Sequence, residues 1–125
     1  MIVVVTGGRD FADNDMVIRA MEHVGVDQGS TLFHGGATGA DALANGYFSR
    51  RCYQSMPFPA DWKAHGRAAG PIRNQTMVGW AAGYQRDGHD VVVVAFPGGR
   101  GTADCVRRAE LAGLRVVRAE TIQAA

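Results

Sequence analysis

The sequence predicts a single α/β domain in which helices cover both faces of a five-stranded parallel sheet. Its 125 residues fit one domain of roughly 100–150 residues and leave no room for a second core. Apolar runs alternate with segments of helical spacing, which is typical of parallel strands joined by right-handed crossovers. Each of three glycine clusters directly follows a predicted strand. We therefore predict the strand order 3-2-1-4-5 within one domain over residues 1–125. The tail, residues 118–125, shows no pattern that predicts secondary structure.

The first half of the chain contains three predicted strands and two predicted helices. Residues 2–5 form a continuous β-branched run, as expected for a strand buried on both faces. Apolar residues between Asp13 and Val24 recur at helical spacing, and Gly25 would end that helix. The remaining segments are two short strands at residues 31–33 and 55–58, a helix over residues 40–48 between them, and an irregular stretch at residues 59–70.

The second half of the chain continues the alternation with two helices and two strands. Pro71 is predicted as the first residue of the third helix, because its missing N–H costs nothing there. Residues 91–96 form the clearest strand in the chain. The fourth helix begins after Gly101 and runs to about Gly113, and residues 114–117 complete the sheet as a fifth strand.

Charge and composition exclude several classes of protein. The net charge of +1 argues against a nonspecific nucleic-acid coat protein. The longest apolar run, residues 91–97, is far shorter than the roughly 20 residues that span a bilayer, and the amino terminus lacks a secretion signal. Two cysteines, Cys52 and Cys105, make a poor disulfide framework and indicate a reducing compartment. We expect a cytoplasmic protein with no membrane partner, and the near-neutral charge makes a nucleic-acid partner the least favoured.

Glycine fills 17 of the 125 positions, about twice its usual share of ~7%. Ligands of parallel α/β sheets bind beyond the carboxyl ends of the strands, where loop amides and helix N-termini attract anions. The three glycine-rich loops therefore predict an anion or nucleotide pocket, although each loop alone also fits a tight turn with an ordinary cap. The candidate ligand-binding residues are Thr6, Gly7, Gly8 and Arg9 in the first loop, Gly35, Gly36, Ala37, Gly39, Ala40 and Asp41 in the second, and Pro97, Gly98, Gly99, Gly101 and Thr102 in the third.

Several candidate side chains have two interpretations. Thr102 fits either a helix cap or a phosphate ligand. Asp41, in the first turn of a helix, either complements the helix dipole or accepts a hydrogen bond from a ligand hydroxyl. Asp61 and Trp62 could offer a carboxylate to a sugar and an indole face to a base, although packing explains the indole nearly as well.

Arg73 lies in the first turn of the predicted third helix, where its positive charge opposes the helix dipole. A bound phosphate or an acidic neighbour would compensate that charge, and a solvated side chain is the alternative. Arg9 is a weaker candidate of the same kind. Asn74 directly follows Arg73 and belongs to the predicted site.

Metal binding and covalent catalysis are poorly supported. The four histidines show no metal-ligand spacing, and neither cysteine has a Cys or His partner nearby in sequence. No serine or cysteine lies in a nucleophile elbow. The chain also lacks the P-loop Gly-Lys-Ser/Thr and the dinucleotide pattern G-x-G-x-x-G. We expect no metal and no required cofactor, only a nucleotide ligand.

Four segments together form a family pattern. They read VTGGRDF at residues 5–11, HGGATGADALA at 34–44, PADW at 59–62 followed by AGPIRN at 69–74, and PGGRGT at 97–102. With these motifs in order, the chain resembles the SLOG superfamily of Rossmann-like proteins over residues 2–118, and within it the small YspA-type branch. The resemblance implies a Rossmann-like sheet and a nucleotide or nucleotide-derived ligand. The superfamily includes the Lonely Guy phosphoribohydrolases, which release a base from a nucleoside monophosphate, and DNA-processing protein A, which binds single-stranded DNA.

One departure from the Lonely Guy pattern bears on catalysis. Those enzymes look similar at P-G-G-x-G-T but continue to a catalytic glutamate, where this chain has Cys105 preceded by Asp104. A thiol is a poor source of the charge stabilisation and water activation that N-glycosidic hydrolysis needs. Arg73 matches the functional arginine of the family, and would be catalytic only if Asp41, Asp61 or Asp104 replaces the glutamate.

The residues and the resemblance favour a nucleotide-binding sensor or sequestering protein. Residues 98–102 would hold phosphate, Arg73 would neutralise it, and Asp41 or Asp61 would hold the ribose. A phosphoribohydrolase that acts on nucleoside monophosphates is the second hypothesis, and a single-stranded DNA binder is the third. We also expect a homodimer, since relatives commonly pair. Helix faces could bury one another through Trp80, Tyr84, Tyr47 and Phe48, although core packing explains these four residues about as well.

Overall fold

A sheet of five strands lies between two layers of helices in the computed structural model, which describes residues 1–123. The strands are β1 (Ile2–Thr6), β2 (Thr31–His34), β3 (Gln54–Pro57), β4 (Val91–Ala95) and β5 (Arg115–Arg118). The helices are α1 (Asn14–Val24), α2 (Ala40–Arg50), α3 (Trp62–His65), α4 (Ala69–Arg86) and α5 (Arg100–Leu111), with 3₁₀ turns at Gly66–Ala68 and Ala119–Thr121. The strand order is β3-β2-β1-β4-β5, and all neighbouring strands are parallel. The predicted fold class and strand order are confirmed.

The two central strands are buried on both faces, which explains why they read as unbroken apolar runs. Val3 of β1 lies opposite Val92 of β4 in the parallel register. Successive side chains point to opposite faces, so Val3 joins a core cluster with Phe48 of α2. Val4 joins the other cluster with Met77 of α4. Helices α1 and α2 therefore cover one face, and α4 and α5 cover the other.

The stretch that the sequence predicts as irregular, residues 59–70, is largely helical. Asp61 caps α3 by accepting a hydrogen bond from the N–H of Ala64, and a 3₁₀ turn leads from α3 into α4. Pro71 is the third residue of α4, which begins at Ala69, so its predicted place at the first position was wrong. The helix tolerates proline there because first-turn N–H groups have no partner within the helix. Glycines in this stretch hid the helical pattern.

The other predicted boundaries differ from the structure by a few residues, because helix and strand ends are weakly specified by local sequence. β2 extends to His34, and α5 begins at Arg100 rather than after Gly101. β3 and β5 are each displaced by one residue from their predicted ranges. Within the predicted tail, Ala119 is buried in a 3₁₀ turn, and residues 124–125 lie outside the described part of the chain.

The aromatic residues expected at a dimer interface are divided between core and surface. Tyr47 and Phe48 are buried in the core cluster on the α2 face, so that part of the expectation was wrong. Tyr84 is half-buried and packs against Phe33. Trp80 is 52% exposed. The expected dimer surface is therefore reduced to the face of α4 that carries Trp80.

Membrane-spanning helices and metal clusters are both missing from residues 1–123. No helix in this range has the length and apolar character needed to cross a bilayer. No three His, Cys, Asp or Glu side chains there are grouped so that they could hold a metal ion. Cys52 is exposed and Cys105 is buried, and both are free thiols.

Candidate functional site

The three glycine-rich loops meet at Gly8. Its N–H donates to the carbonyl of Pro97 at 2.9 Å, and its carbonyl accepts from the N–H of Ala40 at 3.2 Å. Gly39 lies against the carbonyl oxygens of Gly8 and Arg9, with φ 74° and ψ −126°, and leaves no room there for a Cβ. Loops that follow three separate strands therefore form one continuous surface.

A cavity of about 560 Å³ opens on this surface, at the carboxyl ends of β1, β2 and β4. This volume falls within the roughly 300–1,000 Å³ of small-molecule sites. The predicted site residues that line it are Thr6, Gly7, Gly8, Arg9, Gly35, Ala37, Asp41, Trp62, Arg73, Asn74, Gly99, Gly101 and Thr102. Gly36 lines an adjoining cavity of about 310 Å³, whose wall shares Arg9, Trp62 and Arg73 with the first.

Other predicted residues lie beneath or beside the cavity. Those that shape the loops without lining them are Gly39, Ala40, Pro97 and Gly98. Gly98 packs so closely on the Thr102 hydroxyl that a Cβ would overlap it. Asp61 is engaged as the cap of α3 and lines a separate depression, so the structure does not bring it to the predicted ribose position.

The cavity wall also contains Asp104, which the sequence analysis named only as a possible catalytic carboxylate. The lining residues that sequence reasoning missed are Val5, Arg67, Gly70, Pro71, Met77 and Arg100. Arg100 carries the signal that singled out Arg73, a positive charge at a helix start, and could have been found in that way. Arg67 lies in the stretch predicted as irregular, where no pattern marked it. With Arg9, four guanidinium groups line one cavity of a chain whose net charge is only +1.

Three helices begin at the cavity without a side-chain cap, and these are α2, α4 and α5. The other two helices, α1 and α3, are capped by Asp13 and Asp61, although α3 also begins at the cavity, with Trp62. Thr102 does not cap α5, whose N-cap residue is Gly99. The N–H of Ala40 in α2 already donates to Gly8, and that of Ala69 in α4 donates to Gly66. The first turn of α5 and the positive ends of the three helix dipoles are what the described residues leave for an anion at the cavity.

Asp41 holds the second loop in shape. Its Oδ2 accepts hydrogen bonds from the N–H groups of Gly35 at 2.8 Å and Ala37 at 3.3 Å. Burial raises the pKa of Asp41, although these N–H groups and the nearby Arg73 favour its ionised form. The structural interpretation of Asp41 therefore has direct support, and only Oδ1 is left for a ligand hydroxyl.

His34 is the buried last residue of β2, directly before the second loop. Its Nδ1 accepts a hydrogen bond from the N–H of Gly36 at 3.0 Å. Burial lowers the pKa of His34, which keeps the imidazole neutral and able to accept at neutral pH. This side chain supports the Gly35–Gly36 backbone and does not line the cavity.

Arg73 is fixed by two hydrogen bonds. Its Nη1 donates to the carbonyl of Gly35 at 2.8 Å, and its Nε donates to Oδ1 of Asn74 at 2.9 Å. Within residues 1–123, Nη2 has no partner of its own. The alternative of a solvated, freely moving Arg73 side chain is therefore excluded. The Nη2 edge of its guanidinium faces the cavity without a partner among residues 1–123.

Asp104 is an ionised carboxylate at the start of α5. Burial alone would raise its pKa, but hydrogen bonds from Arg108, Asn74 and Arg107 hold the pKa below its ordinary value of 3.8. The two arginine contacts are each 2.9 Å long. A depressed native pKa means that this carboxylate stabilises the fold above pH 3.8, and that its contribution is lost as the pH falls through the native value.

Trp62 offers the one large aromatic surface in the lining of the 560 Å³ cavity. Its side chain is 49% exposed, and the guanidinium of Arg9 lies 5.2 Å from its ring centre. A planar cation on an indole is a favourable cation–π contact. The same ring also lines the adjoining cavity, so a flat group from either side can reach it.

Comparison with known sequences finds one family model and a phage protein similar to this chain. A family model described as "YspA, cpYpsA-related SLOG family" matches residues 1–65. The Gene 61 protein of Mycobacterium phage D29 is 37% identical over 124 residues, which cover 92% of this chain and 93% of that protein. The chain belongs to the YspA/cpYpsA-related SLOG family. The resemblance stated from the sequence motifs is thereby confirmed.

A solved SLOG-type structure shares the fold. The X-ray structure of DNA processing protein A from Streptococcus pneumoniae superposes with a TM-score of 0.51 at 16% sequence identity. The match covers 92% of this chain, and the chain spans 57% of the length of that protein. At this identity the likeness concerns the fold alone.

Within the SLOG pattern, Cys105 stands where the Lonely Guy enzymes have their glutamate. The structure buries Cys105 completely, in the core cluster beneath α5. Burial raises the pKa of its thiol to about 11, although a hydrogen bond with Thr6 and the charge of Arg73 act in the opposite direction. A neutral, inaccessible thiol cannot activate water, so Cys105 does not replace the glutamate.

Proposed function

We propose that this SLOG protein binds a nucleotide or nucleotide-derived ligand in the 560 Å³ cavity, as a sensor or sequestering module. The observation that carries the proposal is the cavity wall itself, where three uncapped helix starts meet four arginines. Both features attract anions, and guanidinium groups suit phosphate oxygens. The two carboxylates in the same wall, Asp41 and Asp104, are already hydrogen-bonded within the protein.

The wall suggests a place for each part of the ligand. A phosphate fits between the first turn of α5 (Gly99, Gly101 and Thr102) and the free Nη2 of Arg73. A base fits against the exposed face of Trp62. A ribose hydroxyl can donate to Oδ1 of Asp41, which lines the same cavity.

Isothermal titration against a panel of ligands tests this proposal. The panel contains nucleosides, their mono-, di- and triphosphates, and inorganic phosphate. We expect a nucleotide to bind at least ~10-fold more tightly than its own nucleoside, because phosphate adds charge-assisted hydrogen bonds. Absence of binding across the whole panel would contradict the proposal.

Gly35→Ala is expected to separate binding from folding. An added Cβ would overlap Nη1 of Arg73, the atom that contacts the Gly35 carbonyl, and would lie 3.0 Å from Oδ2 of Asp41. The flexible arginine can move away, so we expect a stability loss of about 1 kcal/mol but a ~10-fold loss of nucleotide affinity. Urea unfolding and titration measure the two effects.

Gly79→Ala is the matched control for Gly35→Ala. It lies on an exposed face of α4, where an added Cβ meets nothing within 4 Å. It should change neither the affinity nor, by more than about 1 kcal/mol, the stability. Equal affinities for the two variants would show that Gly35 does not support the site.

A second candidate function is hydrolysis of a nucleoside monophosphate. Asp104 favours it, since this ionised carboxylate lines the cavity one residue before the position of the family glutamate. Its contacts with Asn74, Arg107 and Arg108 oppose a role as a base, because they stabilise the ionised form. Chromatography of nucleoside monophosphates incubated with wild type and Asp104→Asn decides this. Base release by wild type alone would establish hydrolysis.

Single-stranded DNA and a second copy of the chain are further proposed partners. An oligonucleotide in the titration panel tests DNA, for which we would expect a steep fall of affinity with salt. A homodimer would bury the exposed Trp80 face of α4. Light scattering tests it by measuring either one or two chain masses of 13.3 kDa.

A further inference from the structure

Asn74 connects two of the helix starts at the cavity. It is only 4% exposed, between α4 and α5. Its Oδ1 accepts from Nε of Arg73, and its Nδ2 donates to the carbonyl of Gly101 at 3.2 Å and to Oδ2 of Asp104 at 3.0 Å. The amide orientation is unambiguous because a guanidinium can only donate and an ionised carboxylate can only accept.

These contacts continue into α5 as a partly buried chain of polar side chains. Asp104 accepts from both Arg107 and Arg108, so its carboxylate is held in place when it receives the Asn74 hydrogen bond. The chain therefore runs from Arg108 through Asp104 and Asn74 to Arg73. As long as position 104 is a carboxylate, the middle residue must accept from Arg73 and donate to Asp104.

The guanidinium of Arg73 is consequently anchored at two edges, by Asn74 at Nε and by Gly35 at Nη1. Without the Asn74 oxygen it could rotate about the remaining contact. A group that is already in place when the ligand arrives loses less conformational entropy on binding.

We propose that Asn74 is a positioning residue, which fixes the free Nη2 edge of Arg73 relative to the first turn of α5 so that both contact one phosphate group. The inference rests on the proposed function and assigns Asn74 no contact with the ligand. Because Asn74 acts through Arg73, substitutions of the two residues should not have additive effects on the free energy of ligand binding.

A double-mutant cycle tests this dependence, using the panel nucleotide that wild type binds most tightly. We expect Asn74→Ala to weaken binding about 10-fold or more, comparable to the loss of a hydrogen bond to a charged group. In an Arg73→Ala background, Asn74→Ala should add less than about 2-fold, since the residues share one interaction. Equal fold losses in both backgrounds would overturn the proposal, because they would indicate a role in helix packing alone.

An exchange variant provides the matched control. Asn74→Asp keeps the acceptor for Arg73 but places a second carboxylate against Asp104, so binding should weaken. Adding Asp104→Asn restores a donor–acceptor pair between the two positions, so affinity should recover in part, while the contact with the Gly101 carbonyl stays lost. If Asn74→Ala does not fold, this comparison decides, and absence of recovery contradicts the proposal.

A measurement without ligand separates this inference from the proposed function. In ¹⁵N NMR spectra, the Arg73 Nε–H signal, assigned by its loss in Arg73→Ala, should be protected from exchange with water in wild type. Asn74→Ala should remove that protection, and the exchange variant should restore it. An unchanged signal in Asn74→Ala overturns the positioning role even if nucleotides bind. Failure of wild type to bind any panel nucleotide contradicts the proposed function and leaves the NMR result to decide the role of Asn74.

Discussion

Replacing Arg73 with alanine is expected to weaken nucleotide binding by about 100-fold or more, the largest effect of any single substitution in the cavity. Its guanidinium lies between the two cavities, with Nη2 free and the other edges held by Gly35 and Asn74. The substitution removes a preorganised charge from the position where we propose that phosphate binds. Titration with the best nucleotide of the panel measures the change.

Two variants control the Arg73→Ala result. Arg73→Lys keeps the charge but loses the planar fork, so it should recover only part of the affinity. Arg86→Ala removes an exposed arginine at the far end of α4 and should leave binding unchanged. If Arg86→Ala and Arg73→Ala weaken binding equally, the effect is a loss of overall charge, and the assigned role of Arg73 is wrong.

Replacing Gly39 with alanine is expected to destabilise the fold by about 3–5 kcal/mol, out of the roughly 5–15 kcal/mol typical of a domain. The backbone there has φ 74° and ψ −126°, a conformation that side chains other than glycine rarely adopt. An added Cβ would also overlap the carbonyl oxygens of Gly8 and Arg9. These are backbone atoms at the junction of the three loops, so they cannot move without disrupting it. Urea unfolding followed by circular dichroism measures the loss.

Gly101→Ala is the matched control for Gly39→Ala. Gly101 also lies in a loop-to-helix motif at the cavity, but it is already helical and an added Cβ would meet nothing within 4 Å. Alanine is the better helix former, so stability should stay within about 1 kcal/mol of wild type or rise. A Gly39→Ala protein as stable as this control would show that the loop junction is not rigid.

The sheet could be predicted from the sequence because its signals are local. Residues 2–5 and 91–96 are short, continuous apolar runs rich in β-branched residues. Such runs are typical of strands covered by helices on both faces, as β1 and β4 are. The alternation of strands with helical segments then restricts the topology to a few orders. The prediction for residues 59–70 was wrong because local signals are weak there. The helical segments of this stretch are short and interrupted by glycines, and the main sequence signal for them is Asp61, the N-cap residue of α3.

The sequence predicted which loops form the site, but not which side chains in them remain free to contact a ligand. Asp41 and Asp61 looked equally suited to a ribose, but one is hydrogen-bonded to its own loop and the other caps α3. Arg67 carried no signal because its position at the cavity depends on how α3 leads into α4. Which polar groups remain free is decided by partners elsewhere in the chain, and local patterns do not contain that information.

The sequence by itself determined the parallel sheet, the edge where the glycine loops gather and the family to which the chain belongs, because strand burial and turn formation depend on neighbouring residues. The tertiary structure alone decided that Arg73 is held by the Gly35 carbonyl and by Asn74, and that Asn74 reaches α5. The Arg73–Gly35 contact joins residues 38 positions apart. Such contacts form only when the strands are side by side, since the sheet is what brings the ends of separate loops within hydrogen-bonding distance.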